Sequence, residues 1–354
     1  MSAIKTAIIG YGLSAKVFQI PFIMANGAFD LVAISSSRSA EINKNLPDVT
    51  VYADAEEMIA RSDAELILIT APNETHYNFA RYALERDKHV LVEKPFVTTS
   101  ADGLALIELA RERGLVLSVY HNRRWDGDFL TVKKLIQNGT LGKVRYFESH
   151  FDRFRPAVKD TWRESDDLGS GILFDLGPHL IDQAVMLFGV PEAVTAQVIA
   201  ARSGAVTDDM FRLTFHYKDI LAVLVSSPFC SGPNLRFKVE GEAASYIKYG
   251  LDPQEARLRS GQTPVEERWA AEDAAAFGML YAPSDMTSAE GMPVDTEIGG
   301  YQHFFAALAS SLRRKGKVPV TASQAVMVIK IIEAAQKSAS SGQTVSLSPL
   351  MVER

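Results

Sequence analysis

Five short apolar runs, rich in β-branched residues, punctuate the first third of the chain. They are Thr6-Ala7-Ile8-Ile9, Leu31-Val32-Ala33-Ile34, Leu66-Ile67-Leu68-Ile69, His89-Val90-Leu91-Val92 and Leu115-Val116-Leu117-Ser118-Val119. Each is apolar almost throughout rather than alternating, the pattern of strands covered on both faces. Between them, residues 14–26, 74–86 and 100–113 carry helical patterns. Strand and helix in alternation predict a parallel, doubly wound sheet.

After about His121 the pattern changes. Residues 129–137 read as a helix closed by Asn138-Gly139, 144–151 as a strand, and 174–188 as one further helix. Longer strands follow at 193–201, 211–217, 221–227, 236–240 and 246–249, joined by short turns that predict an antiparallel sheet. Residues 299–314 and 322–338 close the chain as helices, before a short final strand. The segment 253–296 has no regular period and reads as a substrate lid or an interface loop. Two domains are expected, 1–122 and 123–354, with helix 322–338 packing back on the first.

Composition narrows the class. A chain of 354 residues with 47% hydrophobic and 23% charged residues is ordinary for a globular protein and long enough to bury a core without staples. No apolar run reaches the ~18 residues of a membrane span, and no signal-peptide pattern precedes the first strand. The single cysteine, Cys230, excludes an internal disulfide and points to a reducing compartment, hence the cytoplasm. A net charge of −6 and the lack of a basic stripe argue against nucleic-acid binding.

The first chemistry lies in Gly10-Tyr11-Gly12-Leu13-Ser14-Ala15, which fits G-x-G-x-x-G/A between a predicted strand and a predicted helix. Gly10 allows the tight turn, Gly12 lets backbone approach a pyrophosphate, and Ala15 lets the helix pack close to the sheet. In such folds an acid about 20 residues on binds the adenosine ribose. Here that place holds Ser35, Ser36, Ser37 and Arg38. Hydroxyls and a guanidinium favour an extra phosphate, so NADP(H) is the expected cofactor. Ser37 or Ser39 capping the next helix is compatible with that role.

Two further clusters suggest catalysis. Glu93-Lys94-Pro95 follows the strand at 89–92, at the end of a parallel sheet where ligands sit. Lys94 there can hold a substrate oxygen, or it is a surface lysine paired with Glu93. Asp175, His179 and Asp182 share a face if the helix includes Asp175. A histidine flanked by carboxylates suits a general base. The rivals are a metal site, for which no further Cys/His ligand spacing is evident, and a plain helix start capped by Asp175. Tyr120 to Trp125, Trp162-Arg163, and Tyr301 with His303 are lesser candidates for lining a cleft.

Together GYGLSA, EKP and D-x-x-x-H-x-x-D resemble the glucose–fructose oxidoreductase / inositol dehydrogenase / rhizopine-catabolism (Gfo/Idh/MocA) family over nearly the whole chain. HFDRFRP, SGILFDLGPHLIDQA and VYHNRRWDGDF are most similar to its NADP-dependent scyllo-inositol dehydrogenase-like bacterial branch. The resemblance implies an α/β fold: an N-terminal Rossmann domain, then an α+β domain with a large open, mainly antiparallel sheet that builds a homodimer or homotetramer. It implies Lys94, Asp175 and His179 as the catalytic set and no metal. The expected dinucleotide contacts are Gly10, Gly12, Leu13, Ser14, Ser35 to Arg38, Pro72, Asn73, His76, Glu93, Lys94 and Asn122. Those expected for the substrate, a cyclic polyol or sugar, are Arg124, Trp162, Arg163, Asp182 and Tyr301. The same fold also serves reductases of other small carbonyls or imines, glycoside hydrolases that oxidise transiently, and regulators that sense the dinucleotide.

Overall fold

The computed structural model describes residues 2–158, 164–165, 167–265, 268–282 and 290–347. The chain divides into two compact units. The first comprises Met1–Asn122, Gln254–Trp269 and Gly300–Val326; the second comprises Arg123–Pro253, Ala270–Gly299 and Met327–Arg354.

The first unit holds β1 (Ile4–Ile9), β2 (Phe29–Ser35), β3 (Thr50–Tyr52), β4 (Leu66–Ile69), β5 (His89–Val92) and β6 (Leu117–Val119). All pair in parallel, in the order β3-β2-β1-β4-β5-β6. The order reverses direction between β1 and β4, the place where such sheets bind ligands. β4 is buried along its whole length, as its uninterrupted apolar run requires. The helix expected at 14–26 is a π-helical turn, Ala15–Gln19, running into α1 (Ile20–Ala25). Pro21 sits in its middle and lacks the amide that a regular α-helix needs there. α2 (Ser39–Asn45), α3 (Ala55–Arg61), α4 (His76–Leu84) and α5 (Ser100–Arg113) complete the alternation. α5 has sequence-legible ends: Thr99 Oγ1 accepts from Asp102 N, and Gly114 closes the helix at φ +64°. The helix Tyr301–Leu312 contributes Phe304 and Phe305 to an aromatic cluster with Phe22, Phe29 and Tyr120.

The second unit is built on a nine-stranded sheet: β7 (Val144–His150), β8 (Ala193–Ile199), β9 (Met210–His216), β10 (Leu221–Ser226), β11 (Leu235–Gly241), β12 (Ser245–Tyr249), β13 (Gly278–Tyr281), β14 (Met292–Val294) and β15 (Val345–Ser346). Its order is β14-β13-β12-β11-β7-β10-β9-β8-β15, antiparallel except where β7 meets β10. With it go α6 (Gly127–Gln137), α7 (Ile172–Asp175) and α8 (Gly177–Phe188). The single helix expected at 174–188 is therefore two, joined at Leu176. Pro178, in the first turn of α8, has no amide to continue the ladder from α7.

The segment 253–296 is less irregular than its sequence. It supplies the helix Gln254–Arg259 and two strands, β13 and β14, at one edge of the sheet. Lys248 Nζ, fully buried, donates to Glu272 Oε1 at 2.9 Å, and Thr296 Oγ1 to Glu272 Oε2 at 2.6 Å. These bonds latch Glu272 and Thr296 to the sheet.

Arg236 is the largest side chain fully buried in the chain's described core. It donates to Asp128 Oδ2 (3.2 Å), Ser149 Oγ (2.8 Å) and Gln183 Oε1 (2.7 Å), and Gln183 Nε2 donates to Arg123 O (2.8 Å). Each charge is paired and hydrogen-bonded, which a buried ion needs. The network fixes α8 against the sheet.

Along β7 and just beyond it, Tyr146, Glu148, His150 and Asp152 fall at alternate positions and so share a face. His150 lies between Asp152 Oδ2 (2.8 Å) and Glu148 Oε1 (2.9 Å), and Tyr146 OH donates to Glu148 Oε2 (2.8 Å). Burial works against the imidazolium, but hydrogen bonds to Asp152 and Glu148, and their charges, outweigh it and raise its pKa to about 9. A raised histidine pKa stabilises the fold fully below the unfolded value, near 6.5, and that contribution is lost as pH rises through 9. The expected result is a stability loss of at most about 3 kcal/mol between those two pH values. Urea titrations should show the loss in the parent protein and not in His150→Gln.

Candidate active site

In the first unit, the carboxyl ends of β1, β2, β4 and β5 carry most of the expected dinucleotide contacts. Gly10 leaves β1 at φ +94°, and a Cβ there would lie 2.9 Å from Thr70 Oγ1 and 3.2 Å from Thr70 O. Only glycine fits. At Gly12 a Cβ would meet nothing within 4 Å. No protein packing calls for glycine at that point, and the open space beside its backbone fits an approaching pyrophosphate. Ala15 is fully buried where the helix meets the sheet.

Ser35 ends β2 and is buried, whereas Ser36 and Ser37 are more open. Ser36 Oγ accepts from Arg38 N at 3.2 Å. Neither Ser37 nor Ser39 caps α2 through its side chain; Arg38 occupies the cap position without a side-chain bond. The Arg38 guanidinium is half exposed, with Nη1 3.4 Å from Tyr11 O and 4.0 Å from Glu41 Oε2. Lys16 Nζ reaches the same Glu41 at 3.0 Å and lies over the Tyr11 ring. Two cations thus share one acid beside the strand end. Lys16 was not singled out from sequence; its place one turn into the glycine-motif helix was the available signal.

Pro72, Asn73 and His76 follow β4. Asn73 is buried, and Thr75 Oγ1 donates to Pro72 O (2.7 Å). His76 is buried with its ring nitrogens 2.8 Å from Pro95 O and 2.9 Å from Ala71 O. Burial lowers its pKa, although the carbonyls pull the other way. His76 therefore ties the end of β4 to the turn after β5.

That turn contains Glu93, Lys94 and a cis Lys94–Pro95 peptide. Glu93 accepts from Ser14 Oγ, from Gln19 Nε2 (2.6 Å) and from Lys94 N (3.2 Å). Burial raises its pKa against the pull of these donors. Glu93 binds the glycine-motif helix to the backbone of Lys94, so the two halves of the sequence motif are one piece of structure. Asn122 is buried at the end of the unit's first segment. Tyr301 is fully buried, packed against Phe18 and Phe22, and its amide donates to Gln254 Oε1.

In the second unit, Asp175 ends α7 half-buried, and His179 lies buried in the first turn of α8. Asp182, one turn on, is buried in a bidentate pair with Arg124: Nε to Oδ2 at 2.7 Å and Nη2 to Oδ1 at 2.6 Å. The two residues expected to meet substrate thus meet each other. Trp162 and Arg163 lie outside the described residues. Among the described residues no group of His, Cys, Asp and Glu is arranged to hold a metal, and no helix is long and apolar enough to cross a membrane.

Two family models match the chain. One, described as an oxidoreductase family with an NAD-binding Rossmann fold, covers residues 4–121; the other, the C-terminal alpha/beta domain of an oxidoreductase family, covers 133–347. The chain is 41% identical to the uncharacterized oxidoreductase YdgJ of Escherichia coli, over 98% of this chain and 99% of that one. It is 38% identical to the scyllo-inositol 2-dehydrogenase (NADP(+)) IolW of Bacillus subtilis, over 98% and 97%. The solved structure of the putative oxidoreductase yvaA from Bacillus subtilis superposes with a TM-score of 0.94 at 38% identity, covering 98% of this chain and 99% of that one.

Proposed function

Because the chain belongs to the Gfo/Idh/MocA oxidoreductase family, we propose that it transfers hydride between NADP(H) and a secondary alcohol or ketone of a cyclic polyol or sugar, scyllo-inositol first among them. The nicotinamide ring, when bound, supplies or accepts the hydride at C4. His179 takes the hydroxyl proton in the oxidation direction and returns it in reduction. Lys94 donates a hydrogen bond to the reacting oxygen and offsets its developing negative charge. Asp175 orients the site and balances the lysine. The Arg124–Asp182 pair keeps a guanidinium and a carboxylate fixed next to α8, fit to receive further hydroxyls.

One observation carries the cofactor choice: no acid stands among Ser35 to Arg38 at the end of β2, and beside it two cations, Arg38 and Lys16, share the single Glu41. The half-exposed face of β7 and the exposed Leu221 and Ile199 on β10 and β8 of the same sheet support self-association through the sheet as a dimer or tetramer. The lone cysteine fits a cytoplasmic setting.

The test follows nicotinamide absorbance with NADP⁺ or NAD⁺ against a panel of inositols and aldoses. Turnover of an inositol with NADP⁺ is the expected result. No turnover on any alcohol, with NADPH still bound, overturns the dehydrogenase reading.

A further inference from the structure

The connection between β8 and β9 reaches the proposed base through an unbroken run of hydrogen bonds. Ile172 N donates to Asp208 O (2.8 Å), Leu176 N to Ile172 O (2.8 Å), and His179 N to Leu176 O (3.2 Å). Beside this run, Leu173 N donates to Asp208 Oδ2 (2.7 Å) and Asp175 N to Gly171 O (3.0 Å). α7 is a single turn, too short for helical cooperativity to hold it. Its place is set by what receives its first amides, and Asp208 receives both of them.

Asp208 is itself held firmly. Its neighbour Asp209 accepts from Ala201 N (2.7 Å), Arg202 N (3.1 Å) and Arg202 Nε (2.8 Å), closing the connection on itself. Gly171, at φ +87°, packs so closely that a Cβ would fall 2.2 Å from Asp208 Oδ1. The carboxylate has one seat, and α7 is registered against it.

We infer that Asp208 is a positioning residue: its bonds to the start of α7 set where Asp175 and His179 stand. The inference rests on the roles proposed above for those two residues. Asp208 acts on both through the backbone of α7 and Leu176.

Three variants test it. Asp208→Ala should fold, bind NADPH as the parent does, and lose kcat by about tenfold or more with a much smaller change in KM. Its His179 ring resonances, assigned by their loss in His179→Asn, should shift. Asp208→Asn keeps an oxygen that accepts from Leu173 N, so it should retain parental kcat and resonances. Asp208→Glu keeps the charge but moves the acceptor by a methylene, and should resemble Asp208→Ala. A merely structural role would lower the Tm of Asp208→Ala and leave the resonances and kcat of the folded protein unchanged; that result overturns the inference. The resonances need no turnover. A parent inactive on every alcohol fails the proposed function, whereas unmoved resonances fail this inference alone.

Discussion

His179→Ala should bind NADPH as the parent does, Lys94→Met should still bind it though more weakly, and each should lose about a thousandfold or more in kcat, or ~4 kcal/mol of barrier lowering. The size follows from the two roles. A single preorganised donor to a developing oxyanion typically contributes 10²–10³, and a positioned general base 10²–10⁴. Both require a side chain fixed before the reaction begins. The backbone of Lys94 is so fixed: its amide donates to Glu93, and the carbonyl of the next residue, Pro95, is met by His76. Around His179, α8 is pinned by Gln183 to Arg236 and by Asp182 to Arg124. Neither replacement removes a glycine, a serine or a cation at the ends of β1 and β2, so most of the expected dinucleotide contacts survive; Lys94→Met loses one of them. Titration of NADPH fluorescence and steady-state kinetics on the same preparations provide the check. Turnover within about threefold of the parent in both variants would remove these residues from the mechanism.

Legibility in the sequence depended on what each residue packs against. β4 and β5 match their apolar runs residue for residue, because both strands lie inside a parallel sheet and burial on two faces leaves an uninterrupted signal. β3, three residues long and half-exposed at the sheet edge, carries no such run and was not foreseen. The glycine motif was readable because backbone geometry demands it: Gly10 abuts Thr70. Arg236 was not. Simple alternation along Arg236-Phe237-Lys238 puts the arginine with Lys238 on the polar face. A register shift between Leu235 and Phe237 lets Arg236 and Phe237 both be buried. Its partners Asp128, Ser149 and Gln183 come from three elements far apart in the chain, and no spacing rule joins them. The break between α7 and α8 was hidden for a different reason. Proline in a helix's first turn is tolerated, so Pro178 read equally well within one helix or opening a second.

The double variant Ser36→Asp, Arg38→Ala should reverse the cofactor preference, with a change of about 10²–10⁴ in the NADP-to-NAD ratio. Two effects add. Removing the guanidinium would delete the charge-assisted hydrogen bond proposed for the 2′-phosphate, worth ~1.5–3 kcal/mol. The new carboxylate faces a phosphate monoester of charge about −1.5 to −2, a repulsion of roughly 1–3 kcal/mol at a half-exposed site. The same carboxylate can accept from the ribose 2′-hydroxyl of NAD, which the serines serve less well. The surroundings favour a clean reversal. Glu41 is now shared by Arg38 and Lys16; with Arg38 gone it neutralises Lys16 alone, leaving no free cation from this cluster to rescue NADPH. Because these groups are half exposed, the parent's preference should also weaken as ionic strength rises, and the variant's should weaken in the opposite sense. Dissociation constants for NADPH and NADH by fluorescence settle the matter without a known substrate. A ratio within about threefold of the parent's would mean that the acid-free end of β2 does not choose the cofactor, and that the choice lies in residues other than Ser36 and Arg38.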